Sequence, residues 1–350
     1  MQNRSWLDYA AAATLALFLA PPAALGQRDF DQVFVGKGAP SRGAIMEMGP
    51  KQVTLEINGL NRAFDVNEIV RITFKDEPAE LNAARTSVLQ RNYVQALADL
   101  KKAEAQKIDR EFVKQDIDYF RALCQCRLTM SEGGDKAAAI TAMLNFVKSA
   151  PQSYHFYEAA EVLGDLAMAS GKWADATRYY GPIATAPWPD YQMRANNAIG
   201  RALVAERKYD EALDKFKAVM GIDAPTAEAS RQKHLAQVGR ALCLAESGKA
   251  EEGLAALQDV IDKNDPQDGV LFARAYNALG RCYLKLNRPK DAVLALLHTD
   301  VLYASDADAH AEALYYLSKL WSDINKSERA LAARNTLRER YSGSFWATLE

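Results

Sequence analysis

Cysteine and histidine are scarce in this chain, with four of each among 350 residues. Four cysteines are too few for a disulfide-built scaffold. Cys124 and Cys126 stand two apart on an expected helix and so point about 200° away from each other, and no second pair sits at metal-ligand spacing. Cys243 and Cys282 fall on the first helices of neighbouring helical units; a bridge between them is conceivable, but small buried side chains explain them more simply. His155, His234, His298 and His310 are dispersed, and none has a histidine partner four positions on. Asp300, Asp306, Asp308 and His310 form the only dense group of possible metal ligands. Capping of the helix from Ala307 by Ser305 or Asp306 accounts for most of it. Net charge is also missing, with 43 Lys and Arg against 45 Asp and Glu. That balance argues against attachment to nucleic acid or lipid by bulk charge. There is no Walker-type phosphate loop and no Gly-x-Ser-x-Gly elbow; Gly36-Lys37-Gly38 and Gly43 lack dinucleotide spacing and read as a turn. No nucleophile, base and orienter set stands out. The expectation is a protein that is not an enzyme and that takes no metal or cofactor.

Long apolar runs are absent too, except near the start. A short basic beginning with Arg4 leads into the apolar and small residues Tyr9–Ala20, which Pro21 and Pro22 terminate. Ala24-Leu25-Gly26 then places small residues where signal peptidase cuts. A membrane anchor needs about 20 apolar residues, more than this run supplies. Residues 1–26 are therefore expected to be a cleaved signal peptide, leaving a soluble extracytoplasmic protein, most simply periplasmic in a bacterium. The residue after the cut is Gln27, not the Cys of a lipid-anchored protein.

Residues 27–77 read as a small β module. Val53, Leu55 and Ile57 alternate with Gln52, Thr54 and Glu56, Asn58-Gly59 signals a tight hairpin, and Phe64 and Val66 resume the alternation. Val70, Ile72 and Phe74 make a further stripe. This rhythm resembles a small SH3- or Sm-like barrel, of a size that gains stability by packing on the neighbouring C-terminal segment.

From residue 78 to 350 the pattern is helical and repeats. Arg194-Ala195-Asn196-Asn197-Ala198-Ile199-Gly200-Arg201 recurs 80 positions later as Arg274-Ala275-Tyr276-Asn277-Ala278-Leu279-Gly280-Arg281. Gly164, Gly200, Gly239 and Gly280 succeed one another at 36, 39 and 41 residues. The markers precede similar second halves: Trp173, Ala176 and Tyr180; Tyr209, Ala212 and Phe216; Ala292 and Leu296. A small residue at the marker and a later Ala let two helices approach closely, and large side chains fill the wedge. These residues resemble the tetratricopeptide repeat, here with a long period and few helix-ending prolines. The resemblance implies a mainly α fold: a solenoid of about six to seven helix hairpins behind the β module.

It also implies a concave groove lined by the first helix of each hairpin. Carried onto the two best-matched units, the groove positions are Arg194, Asn197, Arg201 and Val204, then Arg274, Asn277, Arg281 and Leu284. Arg240 joins them if Gly239 holds the marker position. Forked arginine donors and amides suit carboxylates and extended peptide backbone. Alternatively, Glu158, Glu161 and Asp165 of the preceding unit pair with Arg194 and Arg201 as braces. The function expected is an extracytoplasmic scaffold that binds a protein or peptide partner, through an acidic segment or a chain terminus. An accessory or substrate-presenting subunit of a cell-envelope assembly is the alternative. One expectation is checked directly: intact mass of the protein exported by its host should place the first residue at or near Gln27, whereas a soluble cytosolic form that retains residues 1–26 would overturn both signal and location.

Overall fold

The computed structural model describes residues 30–350; the expected signal peptide lies outside them. Strands β1 (Asp31–Val35), β2 (Ser41–Met48), β3 (Gln52–Ile57), β4 (Leu60–Asp65) and β5 (Ile69–Thr73) form an antiparallel sheet in the order β4-β3-β2-β1-β5. Asn58 and Gly59 both take positive φ, 53° and 78°, as a two-residue hairpin loop requires. Register shifts at Phe34/Val35 and Ile45/Glu47 bend the sheet. Its inner face carries Val33, Val53, Leu55, Phe64 and Ile72, all buried.

Beyond the sheet, the described residues form fourteen helices, paired into seven antiparallel hairpins. They are α1 (Ala79–Leu89) with α2 (Tyr93–Glu104), α3 (Glu111–Glu132) with α4 (Lys136–Ser149), and α5 (Phe156–Ala169) with α6 (Trp173–Ala184). Next come α7 (Pro189–Ala205) with α8 (Tyr209–Gly221) and α9 (Ala227–Glu246) with α10 (Ala250–Lys263). The last are α11 (Gly269–Lys285) with α12 (Pro289–Leu302) and α13 (Ala307–Asp323) with α14 (Ser327–Arg340). Few prolines stop these helices. A residue in the left-handed region ends the first helix of each pair instead: Arg91, Gly133, Gly171, Arg207, Gly248, Asn287 and Asn325. In six hairpins the next residue's N–H reaches back to a carbonyl five positions earlier, as from Lys208 to Leu203 and Arg288 to Tyr283, both at 2.9 Å. That bond closes the helix end and reverses the chain.

Within a hairpin the two helices meet where the marker faces a large residue sixteen positions on. A Cβ added at Gly200 would lie 2.5 Å from the Phe216 ring, and one at Gly280 would lie 2.8 Å from Leu296; Gly164 abuts Tyr180 in the same way. The fifth hairpin corrects the expected register. Gly239 packs against Phe216 of the preceding hairpin. Ala241 takes the marker position opposite buried Leu257, and Gly253 lies over its carbonyl. The cysteine alternatives are settled as well: all four thiols are free and buried, and burial pushes each up to about 12.

The sheet is not a separate body on the array. One apolar core runs from Val33 and Phe74 through Leu81, Leu100 and Ile117 to Phe216. Buried Asp31 accepts from the Ile45 and Lys75 amides and from both Arg110 Nη atoms, at 2.5 and 3.0 Å. Beneath it, buried Arg85 donates to Glu77 at 2.8 Å and to Asp116 at 2.9 and 2.5 Å. Asp116 also holds His155 Nε2 at 2.8 Å, while the other ring nitrogen meets Glu158 at 2.9 Å. Burial works against the cation, but the two carboxylates outweigh it and raise the His155 pKa. Asp116 is held below the usual carboxylate range by Arg85 and His155, against burial.

These shifts set the pH dependence. The stabilisation from His155 is full below the ordinary imidazole value of about 6.5 and is lost as pH rises through the raised native value. That from Asp116 is present above about 3.9 and is lost as pH falls through its depressed native value. The melting temperature should therefore decline as pH rises above about 6.5, and His155→Gln should flatten that decline; an unchanged slope would show that another group titrates there.

Candidate functional site

The first helices of successive hairpins pack side by side, α7 on α9, α9 on α11 and α11 on α13, so their free faces line one concavity. The end of the chain closes it. After α14 the chain reverses, and Gly343 rests on the carbonyls of Thr129 and Met130 at the end of α3, where a Cβ would overlap them. Phe345 meets Trp173 edge to face at 4.7 Å. Trp346 sits against Tyr315 and Tyr316, and its indole N–H donates to Asp308 at 3.3 Å. Glu350 accepts from Ser318 and from Arg334, the latter at 2.6 Å. The seventh hairpin is thus tied to the second and third, and the groove is a chamber of about 710 Å³.

The chamber wall is mixed. Val204, Leu242, Leu284 and Met168 are its aliphatic part, and Trp173, Tyr316, Phe345 and Trp346 its aromatic part. Its charges are mostly spent. Arg274 pairs with Asp306 at 2.7 Å and reaches Asp308 at 4.0 Å. Arg281 pairs with Glu246 at 2.6 Å and Glu312 at 3.5 Å, and Lys285 adds a second contact to Glu246 at 2.8 Å. Burial raises the carboxyl pKa of Asp308 and Glu312 against the pull of the arginines. It acts against the Arg281 cation, but Tyr316, Glu312 and Glu246 overcome it and raise that pKa.

Arg201 differs. Among the described residues it makes no hydrogen bond and no ion pair, and it lines the chamber beside Arg274. Burial first, and then the Arg274 charge, lower its pKa. A guanidinium nonetheless stays protonated, so Arg201 is a cation with no direct partner facing the cavity, drawn only at longer range by Asp308 and Asp306.

The other expected groove residues divide between braces and a buried crevice. Arg194 braces Glu161 at 3.2 Å and covers the Tyr191 ring. Asn197 donates to the Gln232 carbonyl at 2.9 Å and to its side chain at 2.7 Å. Asn277 donates to the Ala309 carbonyl at 2.7 Å and to Glu312 at 3.0 Å. Both asparagines are buried, both Oδ1 atoms lack a donor, and both residues line a crevice of about 70 Å³ shared with Arg201 and Arg274. Arg240 is a correction: with Ala241 at the marker, the chamber-facing place after it belongs to Leu242, and Arg240 is not in the wall. The expected brace is made by Arg194 with Glu161 and is not made by Arg201, since Asp165 is taken by Arg127 and Tyr180; Arg274 and Arg281 are braced by other acids, Asp306, Glu246 and Glu312. The candidate metal ligands have separate duties. Asp306 caps α13, while His310 is held between Asp300 at 2.8 Å and Tyr341 at 2.6 Å.

Sequence reasoning missed Leu242, whose place is fixed by the sixteen-residue offset between Ala241 and Leu257. It also missed Phe345 and Trp346, two aromatics standing just past the last amphipathic helix.

The fold and the chamber define a tetratricopeptide-like solenoid. Residues 161–228, 197–269 and 238–299 each match the tetratricopeptide repeat family. Among solved structures, a tetratricopeptide repeat protein from Parabacteroides merdae is similar over 75% of this chain and 91% of its own, with TM-score 0.54 and 14% identity. NprR in complex with its cognate peptide NprX is similar over 80% of this chain and 84% of its own, with TM-score 0.51 and 14% identity. At such identities the likeness is one of fold. No curated protein matches. Among the described residues, no helix is long and apolar enough to cross a membrane.

The two kinds of arginine predict opposite outcomes on stability. Arg281→Ala leaves Glu246 and Glu312 short of a donor and should cost about 1–3 kcal/mol. Arg201→Ala removes no bond and relieves repulsion with Arg274, so it should stay within about 0.5 kcal/mol of the parent. Urea unfolding of the two variants measures both; equal losses would show that Arg201 is also a brace.

Proposed function

We propose that this protein is a non-enzymatic scaffold that binds a protein or peptide partner in the chamber lined by its first helices. The observation that carries the reading is Arg201, which lines the chamber without a direct hydrogen-bond or ion-pair partner among the described residues. A guanidinium on the chamber wall complements the carboxylate of a peptide. A chain terminus, or a segment bearing a single carboxylate, supplies it. In this reading the protein works outside the cytoplasm after losing residues 1–26, and the β module is an SH3- or Sm-like barrel that anchors the first hairpins. The complex of NprR with its peptide is a fold-level precedent for a peptide as cargo.

Photo-crosslinking in the native host tests the reading. A crosslinking residue at chamber-facing Val204 or Leu284 should capture the same partner in repeated preparations. One at exposed Leu294, on the second helix α12, should not. Capture should weaken as salt rises, since screening acts on the accessible charge. Equal capture from Leu294, or capture indifferent to salt, would move the binding surface off the chamber.

A further inference from the structure

The chamber's charges do not fit a strongly acidic ligand. Asp308, Glu312 and Glu246 stand on the same walls as Arg274, Arg281 and Lys285 and, with Asp306 outside the lining, occupy them. A segment with several carboxylates would meet these three acids, and only one inward-facing cation is left to receive it. Arg207 also borders the cavity, but it sits exposed at the α7–α8 turn. The remainder of the lining is apolar or aromatic. Trp173 and Phe345 pack on each other, and Trp346 continues the surface onto Tyr316. Phe345 and Trp346 come from the segment after α14, so this wall exists only because the array is closed on itself. A cavity of about 710 Å³ lies in the range of roughly 300–1,000 Å³ that holds small ligands.

We propose that the closed chamber is a binding site for a single carboxylate carried on an apolar or aromatic body. Arg201 is the anchor for the carboxylate, and the C-terminal aromatics are the wall for its body. A guanidinium grips a carboxylate through two parallel N–H bonds, and here it does so without displacing an existing pair. The aromatic faces then remove the attached apolar surface from water. Two sources carry this chemistry: the C-terminus of a peptide ending in apolar residues, or a free organic acid. The first source rests on the peptide reading above; the second does not.

The test uses the full mature chain with two probe sets. One is a randomised hexapeptide pool made as free acids and again as C-terminal amides. The other is a set of medium-chain and aryl-substituted alkanoic acids, again with their amides. Retention on the protein is read by mass spectrometry, and binding by quenching of tryptophan fluorescence. In at least one set the acids should bind about tenfold or more tightly than the amides, equivalent to about 1.4 kcal/mol. Arg201→Leu should erase that preference with the melting temperature unchanged, and Arg201→Lys should restore part of it. Should Arg201→Leu fold poorly, Arg201→Gln must show the same loss. Acid preference in the peptide pool alone names a chain terminus as the ligand. Preference among the small acids alone keeps this inference and removes the peptide reading. Peptides bound equally as acids and amides, with no preference among the small acids, keep that reading and overturn this inference. No binding in either set overturns both; a preference that survives Arg201→Leu overturns this inference, because another group is then the anchor.

Discussion

The contact on which the rest of the molecule depends is the one between a small residue on the first helix of a hairpin and a large residue sixteen positions later on the second. Gly164 with Tyr180, Gly200 with Phe216 and Gly280 with Leu296 bring two backbones closer than any side chain at the marker would allow. Because the helix repeats every 3.6 residues, fixing that contact fixes which residues face away from it. The residue just after the marker turns toward the concave side. That is why Arg201, Leu242 and Arg281 share one chamber although they are far apart in sequence.

Facing inward does not by itself make a residue a ligand group. Charged side chains brought together on the inside of a curved array lose water, and the structure meets most of that cost by pairing across neighbouring first helices. Arg194 with Glu161, Arg274 with Asp306, and Arg281 with Glu246 and Glu312 are such pairs. A brace of this kind also fixes the angle between hairpins. Arg201 stands apart because the acid one unit earlier, Asp165, is already held by Arg127 and Tyr180.

The same economy governs the N-terminal end. A five-stranded sheet of this size has little core of its own, and it is completed by packing on α1 and α3 within one continuous cluster. Asp31, Arg110, Arg85, Asp116 and His155 pin that seam with buried charges whose partners come from the sheet, two hairpins and the start of a third. A buried pair of this kind is strongly destabilised when one partner is removed, which makes the seam specific as well as stable. At the other end Glu350, Trp346 and Phe345 do the corresponding work, joining the last hairpin to earlier ones.

Local patterns in the chain determined a good deal unaided. The alternation around Val53–Ile57 and the Asn58-Gly59 turn encode the hairpin of β3 and β4, because a strand has period two and the turn demands two residues at positive φ. The small-then-large spacing encodes the helix hairpins and most of their registers, since close helix approach leaves no other choice of residue. Tertiary structure decided what depends on neighbours distant in sequence. It placed Ala241 rather than Gly239 at the fifth marker, because Phe216 of the previous hairpin needed the space that Gly239 leaves. It divided the arginines into braces and one cation without a direct partner according to which carboxylates lie within reach of each. It also folded the last ten residues back across more than two hundred positions of sequence to close the groove. No periodicity encodes that closure, because it arises from the accumulated curvature of seven hairpins, a property of the stack and of no single repeat.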